Sequence, residues 1–522
     1  IDENHPERKA AERHATNCRV LLDIKRNGLY KVRFVIQGFR EKLEVIDGPD
    51  FNYSSNVSGL STVRQLFLKP KKPGRAKAQL DVSCAFLQSD MFPEDAPARY
   101  LMCKDPITGK RRFFRQFGVI YGSCSAPVRW MNTLHPWIVE QGFVQGKNEP
   151  CVFYHKGMDT TVNSYVDDCG IEGPRENVEK FIKLISSRFD CKKPEYLEVD
   201  SPLDHLGMVF FEDEYATYLS MECYIRTALQ RLDMENEKCS RYTSPITGPI
   251  MDHSPIPPEK QAFCKTGCGM LGWLAGTGRP DLKLAHSRIS QYMSQPNLGM
   301  YKAVRHAMLY CANTATHCLY QPHNEDAKWS MFSDSDHAGN AEPNNKRRSQ
   351  LAFTAVYGKA PIAWGSKATH VRFDEASHGS EPASNKPYIF GAPKCHEQVN
   401  NLHPDVSSAA AEIYAASIAL NECLYLSYMV DEMGQPMDLP IDIQVDNTTA
   451  IAFSKDRINR SKLKHIDCRQ AWVEALRDDS ICRLSKVDTK ENVADLGTKI
   501  LDTVRFQKLR DMIMIVKAAP AA

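Results

Sequence analysis

The sequence predicts an α+β domain, then a helical connection, then a compact α/β domain. Three observations carry this. Over residues 19–245, strand-like alternation and amphipathic helices follow one another in irregular order, the pattern of a sheet backed by helices with one face left open. At 244–260 the chain turns rich in Pro and Ser, SPITGPIMDHSPIPPEK, which reads as a linker. From WSMFSDSDHAG (329–339) onward the order becomes three strands, a helix, a strand, two helices, a strand and a helix.

Residues 1–18 are polar and predict a frayed tail. RVLLDIKRNGLYKVRFVIQGF (19–39) predicts a hairpin around Arg-Asn-Gly. In AQLDVSCAFLQ (78–88), Ala78, Leu80 and Val82 share one face and Gln79, Asp81 and Ser83 the other. A carboxylate in mid-strand gains nothing from propensity and points to a cleft. CVFYHKGMDTTVNSYVDDCGIEG (151–173) predicts strand, turn, strand, an Asp-Asp tip and a further strand. Taken alone, Asp167 and Asp168 suit an ordinary turn, because Asp caps nearby N–H groups. Val178, Phe181, Ile182, Ile185 and Phe189 predict one apolar helical face, whereas Pro136 should kink the helix that follows Pro127. A helical stretch is expected over 263–318 within a 246–325 connection. Strands follow at 329–335, 349–357 and 361–366, helix at 407–433, strand at 441–446, helices at 447–455 and 463–477, strand at 481–487 and helix at 490–499, with a tail at 513–522.

The chain has 522 residues, enough for about two or three domains with proper cores. Apolar residues at 42% and charged residues at 25% exclude wholesale disorder. No stretch approaches the ~18–20 uninterrupted apolar residues of a membrane span, and IDENHPERKAAERH lacks a signal-peptide core. We therefore expect an intracellular protein with no membrane partner. The 17 cysteines form no regular framework and read as reduced thiols; Cys264, Cys268, His317 and Cys318 are a minor zinc alternative. A net charge of +2 advertises no nucleic acid globally. Basic clusters exist at Lys69, Lys71, Lys72, Arg75 and Lys77, at Lys346, Arg347 and Arg348, and at Arg457, Arg460, Lys462 and Lys464. Such runs are solvated loops unless they lie beside a catalytic site.

Asp81, Asp167 and Asp168 together suit a different chemistry from turn formation. Nucleotidyl transfer uses two Mg²⁺ ions about 3.5–4 Å apart, and Mg²⁺ takes hard oxygen ligands from a few convergent carboxylates. Tyr-Val-Asp-Asp at 165–168 with LDVSCAFLQ (80–88) resembles the polymerase core of a copia-type retrotransposon reverse transcriptase. KVRFVIQGF (31–39), IYGSCSAPVRW (120–130), DHLGMVF (204–210), LSMECYIRTALQRLDMEN (219–236), GTGRPDL (276–282) and KHID (464–467) match the family in order, so the resemblance covers residues 19–512. It implies polymerase fingers and palm over 19–245 and a ribonuclease H-like domain over 326–512.

The resemblance makes Asp81, Asp167 and Asp168 the metal-binding triad. Phe86 falls where the family keeps an aromatic steric gate against ribose, and a core Phe is the alternative. Lys31 and Arg33 match basic fingers positions facing the triphosphate, Tyr121 and Gly122 would line the nucleotide pocket, and Tyr165 and Val166 would lie beside the primer end. Asp334, Glu412, Asp446 and Asp495 form a second acidic set, with Asp336 a capping or solvated neighbour; the resemblance makes the four a two-metal hydrolase site. Implied partners are an RNA template, a DNA or RNA primer, an RNA–DNA hybrid and deoxynucleoside triphosphates, with Mg²⁺ or Mn²⁺ as cofactor, in a cytoplasmic particle and/or the nucleus. The residues leave oligomeric state open.

The sequence also departs from the family. Residues 376–406 insert where a short loop is usual, Ala410 replaces the first of two glutamates, and His337 replaces a Trp. Zinc-knuckle, aspartic-protease and integrase motifs are missing, so the chain reads as part of a larger polyprotein or a decayed copy. Two alternatives stay open: a catalytically silent remnant that at most binds nucleic acid, and a transposase or integrase core in the C-terminal domain.

Overall fold

The alternation around Ala78 becomes the second strand of a six-stranded antiparallel sheet in the computed structural model, which describes residues 1–24, 30–41, 51–323, 326–337, 339–340, 342, 348–369, 408–455 and 467–520. Its strands are β3 (Arg75–Asp81), β6 (Val144–Gln145), β7 (Val152–His155), β8 (Thr160–Tyr165), β9 (Asp168–Pro174) and β10 (Glu195–Tyr196), in the order β10-β3-β9-β8-β7-β6. Two helices, α3 (Ala126–Glu140) and α4 (Arg175–Arg188), share a core with this sheet. Ala78, Leu80 and Val82 meet Trp130, Leu134, Phe181 and Ile185 there, all buried. The period-two alternation therefore leaves Gln79 and Asp81 on the uncovered side. The apolar stripe expected on α4 is buried at Val178, Phe181, Ile182 and Ile185. Pro136 lies inside α3 and does not end it.

A smaller sheet in the same unit runs β2-β1-β4-β5, from β1 (Thr16–Ile24), β2 (Tyr30–Ile36), β4 (Arg99–Lys104) and β5 (Arg111–Gln116). The expected hairpin is β1 with β2, paired from Cys18↔Ile36 to Ile24↔Tyr30; its Arg-Asn-Gly turn lies outside the described residues. Residues 1–18 are not a frayed tail. Helix α1 (Arg8–His14) buries Ala11 against Tyr100 and Phe113, and Thr16–Cys18 pair in parallel with Leu101–Cys103. The single buried residue of α1 is too weak a pattern to read from sequence.

The chain divides into two units. The first is Ile1–Gly59, Gly74–Tyr196 and Glu432–Gln435; the second is Leu60–Pro73, Leu197–Asp431 and Pro436–Ala522. Residues 197–245 thus group with the second unit, which opens with α2 (Leu60–Leu68). One sheet of the second unit orders β11 (Leu203–His205), β12 (Met208–Glu212), β13 (Ala216–Ser220), β14 (His317–Pro322) and β20 (Ile515–Val516). The expected C-terminal tail therefore returns as β20, with Ile515 opposite Cys318. After α5 (Glu222–Arg231), the expected linker is a packed loop whose Ile246, Ile250 and Ile256 are buried. The connection is helical as expected, in α6 (Pro258–Thr277), α7 (Lys283–Ser290) and α8 (Leu298–Asn313).

The last sheet orders β17 (Ala360–Ala368), β16 (Gln350–Tyr357), β15 (Trp329–Asp336), β18 (Ile441–Val445) and β19 (Cys482–Lys486). Helices α9 (Ser408–Glu432), α10 (Thr448–Lys455) and α11 (Asp467–Asp478) agree with the expected order. Residues 411–432 of α9 are long and apolar enough to cross a membrane by length and composition, but Ala416, Leu420, Leu426 and Val430 are buried as in a core helix. The expected helix at 490–499 is a short 3-10 turn, Val493–Gly497, followed by α12 (Thr503–Ile513). The insert 376–406 lies outside the described residues.

The GTGRPDL motif is structural. Arg279 and Asp281 are fully buried and paired at 2.9 and 2.7 Å; Tyr310 donates its hydroxyl to Asp281 Oδ2 at 2.6 Å, and Arg279 also donates to Thr314 Oγ1. Removing one partner leaves the other charge buried and uncompensated. We expect Asp281→Asn to destabilise the second unit by about 3–5 kcal/mol, read as a lowered urea midpoint. Glu179→Gln, which breaks the exposed pair with Arg175, should cost under ~0.5 kcal/mol.

Candidate active sites

Register builds the first acidic site. In the β3–β9 ladder Leu80 faces Cys169 and Asp81 faces Asp168, so two carboxylates stand side by side on the uncovered face, a destabilising cross-strand pair. Tyr165 pairs with Asp168, leaving Val166 and Asp167 as a two-residue hairpin loop. Val166 has φ +58°, the sign a II′ turn requires at its first central residue and a strained one for a β-branched side chain. Two contacts hold the loop: the Trp130 indole N–H donates to Val166 O at 2.6 Å, and Val82 N–H donates to Asp167 O at 2.8 Å. The Asp-Asp tip is therefore clamped from the core.

Electrostatics follow from this crowding. Burial, then the Asp167 and Asp81 charges, push the Asp168 carboxyl up to about 6, against a bond from Gln79 Nε2 at 3.3 Å. Asp167 is raised mainly by burial and also by Asp81, while Lys192 and Lys31 pull it down. Lys192, which the sequence reading missed, ion-pairs with Asp81 and donates its backbone N–H to Asp81 O at 2.9 Å. Of the nucleotide-pocket candidates, Lys31 and Arg33 share one side of β2, and Arg33 acts on Tyr121. Burial and a bond with Cys84 raise the Tyr121 hydroxyl to about 12. Phe86, partly buried against the core, lies 5.6 Å from the Tyr121 ring. Gly122 has φ +89° and no room for a side chain, because a Cβ would fall 2.2 Å from Ile36 O. That close approach seats the Tyr121–Gly122 loop on β2, with Ile36 N–H donating to Tyr121 O.

The second acidic set gathers in the second unit. Asp334 on β15, Glu412 on α9 and Asp446 just after β18 bring ligand oxygens within 4.8 Å of one another. Parallel pairing of Met331 with Ile443 brings the carboxyl ends of β15 and β18 together. Glu412 is pushed up to about 7 by burial and then by Asp446, against bonds from Ser335, and its Oε2 is buried with no hydrogen-bond partner among the described residues. Burial is also the largest cause raising Asp334, with Asp495 and Glu412 adding to it. Asp495 stands apart from the trio. Lys499 Nζ bridges it to Asp334, at 2.9 and 3.0 Å, and Arg505 takes its other oxygen. Asp336 meets Arg288 at 3.9 Å and is no member of the trio.

Other expected features have other uses. Lys71 pairs with Glu212, and Arg75 with Glu172 and Asp159; Lys346, Arg347, Arg457, Arg460, Lys462 and Lys464 lie outside the described residues. Cys264, Cys268 and Cys318 are buried and join no metal-competent group among the described residues.

The Asp168 shift carries a pH dependence. Its folded-state pKa lies above the ordinary value of about 4, so its contribution to stability is present below about pH 4 and lost as pH rises through about 6. In metal-free buffer, Asp168→Asn should melt a few degrees above the wild type at pH 8, and the gap should close near pH 4; scanning calorimetry across pH reads this.

Comparison with known proteins agrees with the motifs. Residues 12–247 match the reverse transcriptase (RNA-dependent DNA polymerase) family. The retrovirus-related Pol polyprotein from transposon TNT 1-94 of Nicotiana tabacum is 24% identical over 95% of this chain and 35% of its own length. The Pol polyprotein from transposon RE2 of Arabidopsis thaliana is 24% identical over 94% and 31%. The chain thus spans about a third of these relatives. A crystal structure of native prototype foamy virus protease-reverse transcriptase aligns with 91% of this chain and 50% of its own at 14% identity, with a TM-score of 0.25. By these matches residues 12–247 resemble reverse transcriptases, and the chain as a whole is similar to part of the Pol polyproteins of these plant transposons.

Proposed function

We propose that the first unit extends a DNA or RNA primer on an RNA template and that the second hydrolyses the RNA strand of the resulting hybrid. The observation that carries the first half is the Asp81–Asp168 register beside the clamped Val166–Asp167 loop. Three hard oxygen donors on a rigid face suit Mg²⁺ or Mn²⁺. When bound, such ions supply positive charge to the reacting phosphate and hydroxyl oxygens. The protein's residues do the rest. Lys31 and Arg33 neutralise triphosphate charge, Phe86 lies beneath the sugar, and Tyr121 and Gly122 wall the pocket. Tyr165 and Val166 hold the primer end so that its 3′-oxygen attacks the α-phosphorus of a deoxynucleoside triphosphate and pyrophosphate leaves.

The second half rests on Asp334, Glu412 and Asp446, whose convergence around a buried Glu412 oxygen that has no hydrogen-bond partner among the described residues suits a divalent ion. Water then attacks the RNA phosphodiester and the 3′-oxygen leaves.

Asp167→Asn should lower metal-dependent primer extension on an RNA template on the order of a hundredfold, with cleavage of a preformed hybrid retained. Glu412→Gln should do the reverse. Wild-type protein without metal-dependent synthesis above Asp167→Asn would instead favour the silent remnant. Phe86→Val should admit ribonucleotides that the wild type rejects, read by extension with ribonucleoside triphosphates alone.

A further inference from the structure

We propose that Asn163 and Gln79 hold an ordered water over Gly170, behind the first acidic site, and that this water fixes Gln79 as the positioning residue of Asp168. The inference deepens the polymerase reading and rests on it for the metal that Asp168 would hold.

Three observations carry it. First, register builds a slot. Gly170 on β9 pairs with Gln79 of β3 on one side and with Asn163 of β8 on the other, so two amide side chains flank a residue that has none. The slot lies on the face that carries Asp81 and Asp168, because Asp81, Asp168 and Tyr165 make the next row of that face along the same three strands. Second, the groups that line the slot lack partners. Asn163 is 0% exposed, and neither its Oδ1 nor its Nδ2 meets a hydrogen-bond partner among the described residues; the same holds for the buried Gln79 Oε1. Amides buried without bonds are costly. These two come from strands roughly 10 Å apart and make no direct bond, so a water that accepts from one and donates to the other joins them. Beside the slot, Thr161 donates its hydroxyl to Met433 O at 3.1 Å, so the Glu432–Gln435 segment of the same unit covers that part of the face. Third, the other end of Gln79 is already engaged, since its Nε2 donates to Asp168 Oδ1 at 3.3 Å. With Oε1 held by the water the amide cannot turn, and Nε2 stays on Asp168. One carboxylate oxygen is then fixed and the other is left for a divalent ion. Asn163 acts through the water and Gln79, and touches no reacting atom.

A crystal structure of the full chain at a resolution that orders solvent tests the water itself, which should lie within hydrogen-bond reach of Gln79 Oε1 and of Asn163. A second arm measures Mn²⁺ affinity by electron paramagnetic resonance in the full chain carrying Glu412→Gln, so that the first unit alone binds. Asn163→Leu should weaken binding on the order of tenfold, as loss of a partner behind a metal ligand does. Gln79→Met should weaken it as much, and the two together no more than Gln79→Met alone. Asn163→Ser, which keeps a donor and an acceptor, should restore most of the affinity. If Asn163→Leu does not fold, Gly170→Ala, which fills the slot and leaves both amides, takes its place with the same expected loss. A slot without water in which the two amides bond directly, losses that add, or Asn163→Leu binding Mn²⁺ like its parent would overturn the proposal. A first unit that binds no Mn²⁺, in a crystal structure that shows the water, would remove the metal reading and the positioning role while the water site stands.

Discussion

The first unit is organised around a repulsion that its own backbone enforces. Strands β3 and β9 can bury Ala78, Leu80, Cys169 and Ile171 against the helices only in one register, because a slip of one residue would turn every side chain to the other face. That register sets Asp81 opposite Asp168. Apolar packing thus holds together two like charges that would otherwise separate. Burial first, and then the neighbouring Asp167 and Asp81 charges, raise the Asp168 carboxyl, and Lys192 answers Asp81 with an ion pair.

The second unit solves a similar problem with other parts. Its acids come from two parallel strands, a long core helix and a short turn, so no single ladder brings them together. Cations supplied by the chain share the work there: Lys499 and Arg505 meet Asp495, and Lys499 and the Thr498 hydroxyl meet Asp334. Both sites combine crowded carboxylates with nearby lysines. In both, the carboxylates that could hold a divalent ion face competing protein charges.

Much of this was legible in the sequence wherever the signal is local. Period-two alternation put Asp81 on the open face of its strand, and the stripe on α4 marked its buried side. The succession of strands and helices along the chain from Trp329 to Lys486 also followed from local patterns. Contacts between distant segments were not legible. Nothing in the run around Trp130 announces a bond to Val166 O, and Lys192 and Lys499 look like any solvated lysine until the chain folds. Residues 490–499 failed for a different reason: the buried side chain of Asn492 caps a short 3-10 turn, a start signal shared with true helices. The Pro- and Ser-rich 244–260 segment misled because its isoleucines, too few for a periodic pattern, are nevertheless buried.

The central claim is that each unit carries crowded carboxylates that a divalent ion relieves. Scanning calorimetry with and without Mn²⁺ tests it most directly, since an ion that binds only the folded form adds about 2.7 kcal/mol at a hundredfold excess over Kd. Mn²⁺ should raise the melting of both units, with Asp168→Asn removing the gain in the first unit alone and Glu412→Gln removing it in the second alone. Melting that ignores Mn²⁺, or gains that survive both substitutions, would contradict it.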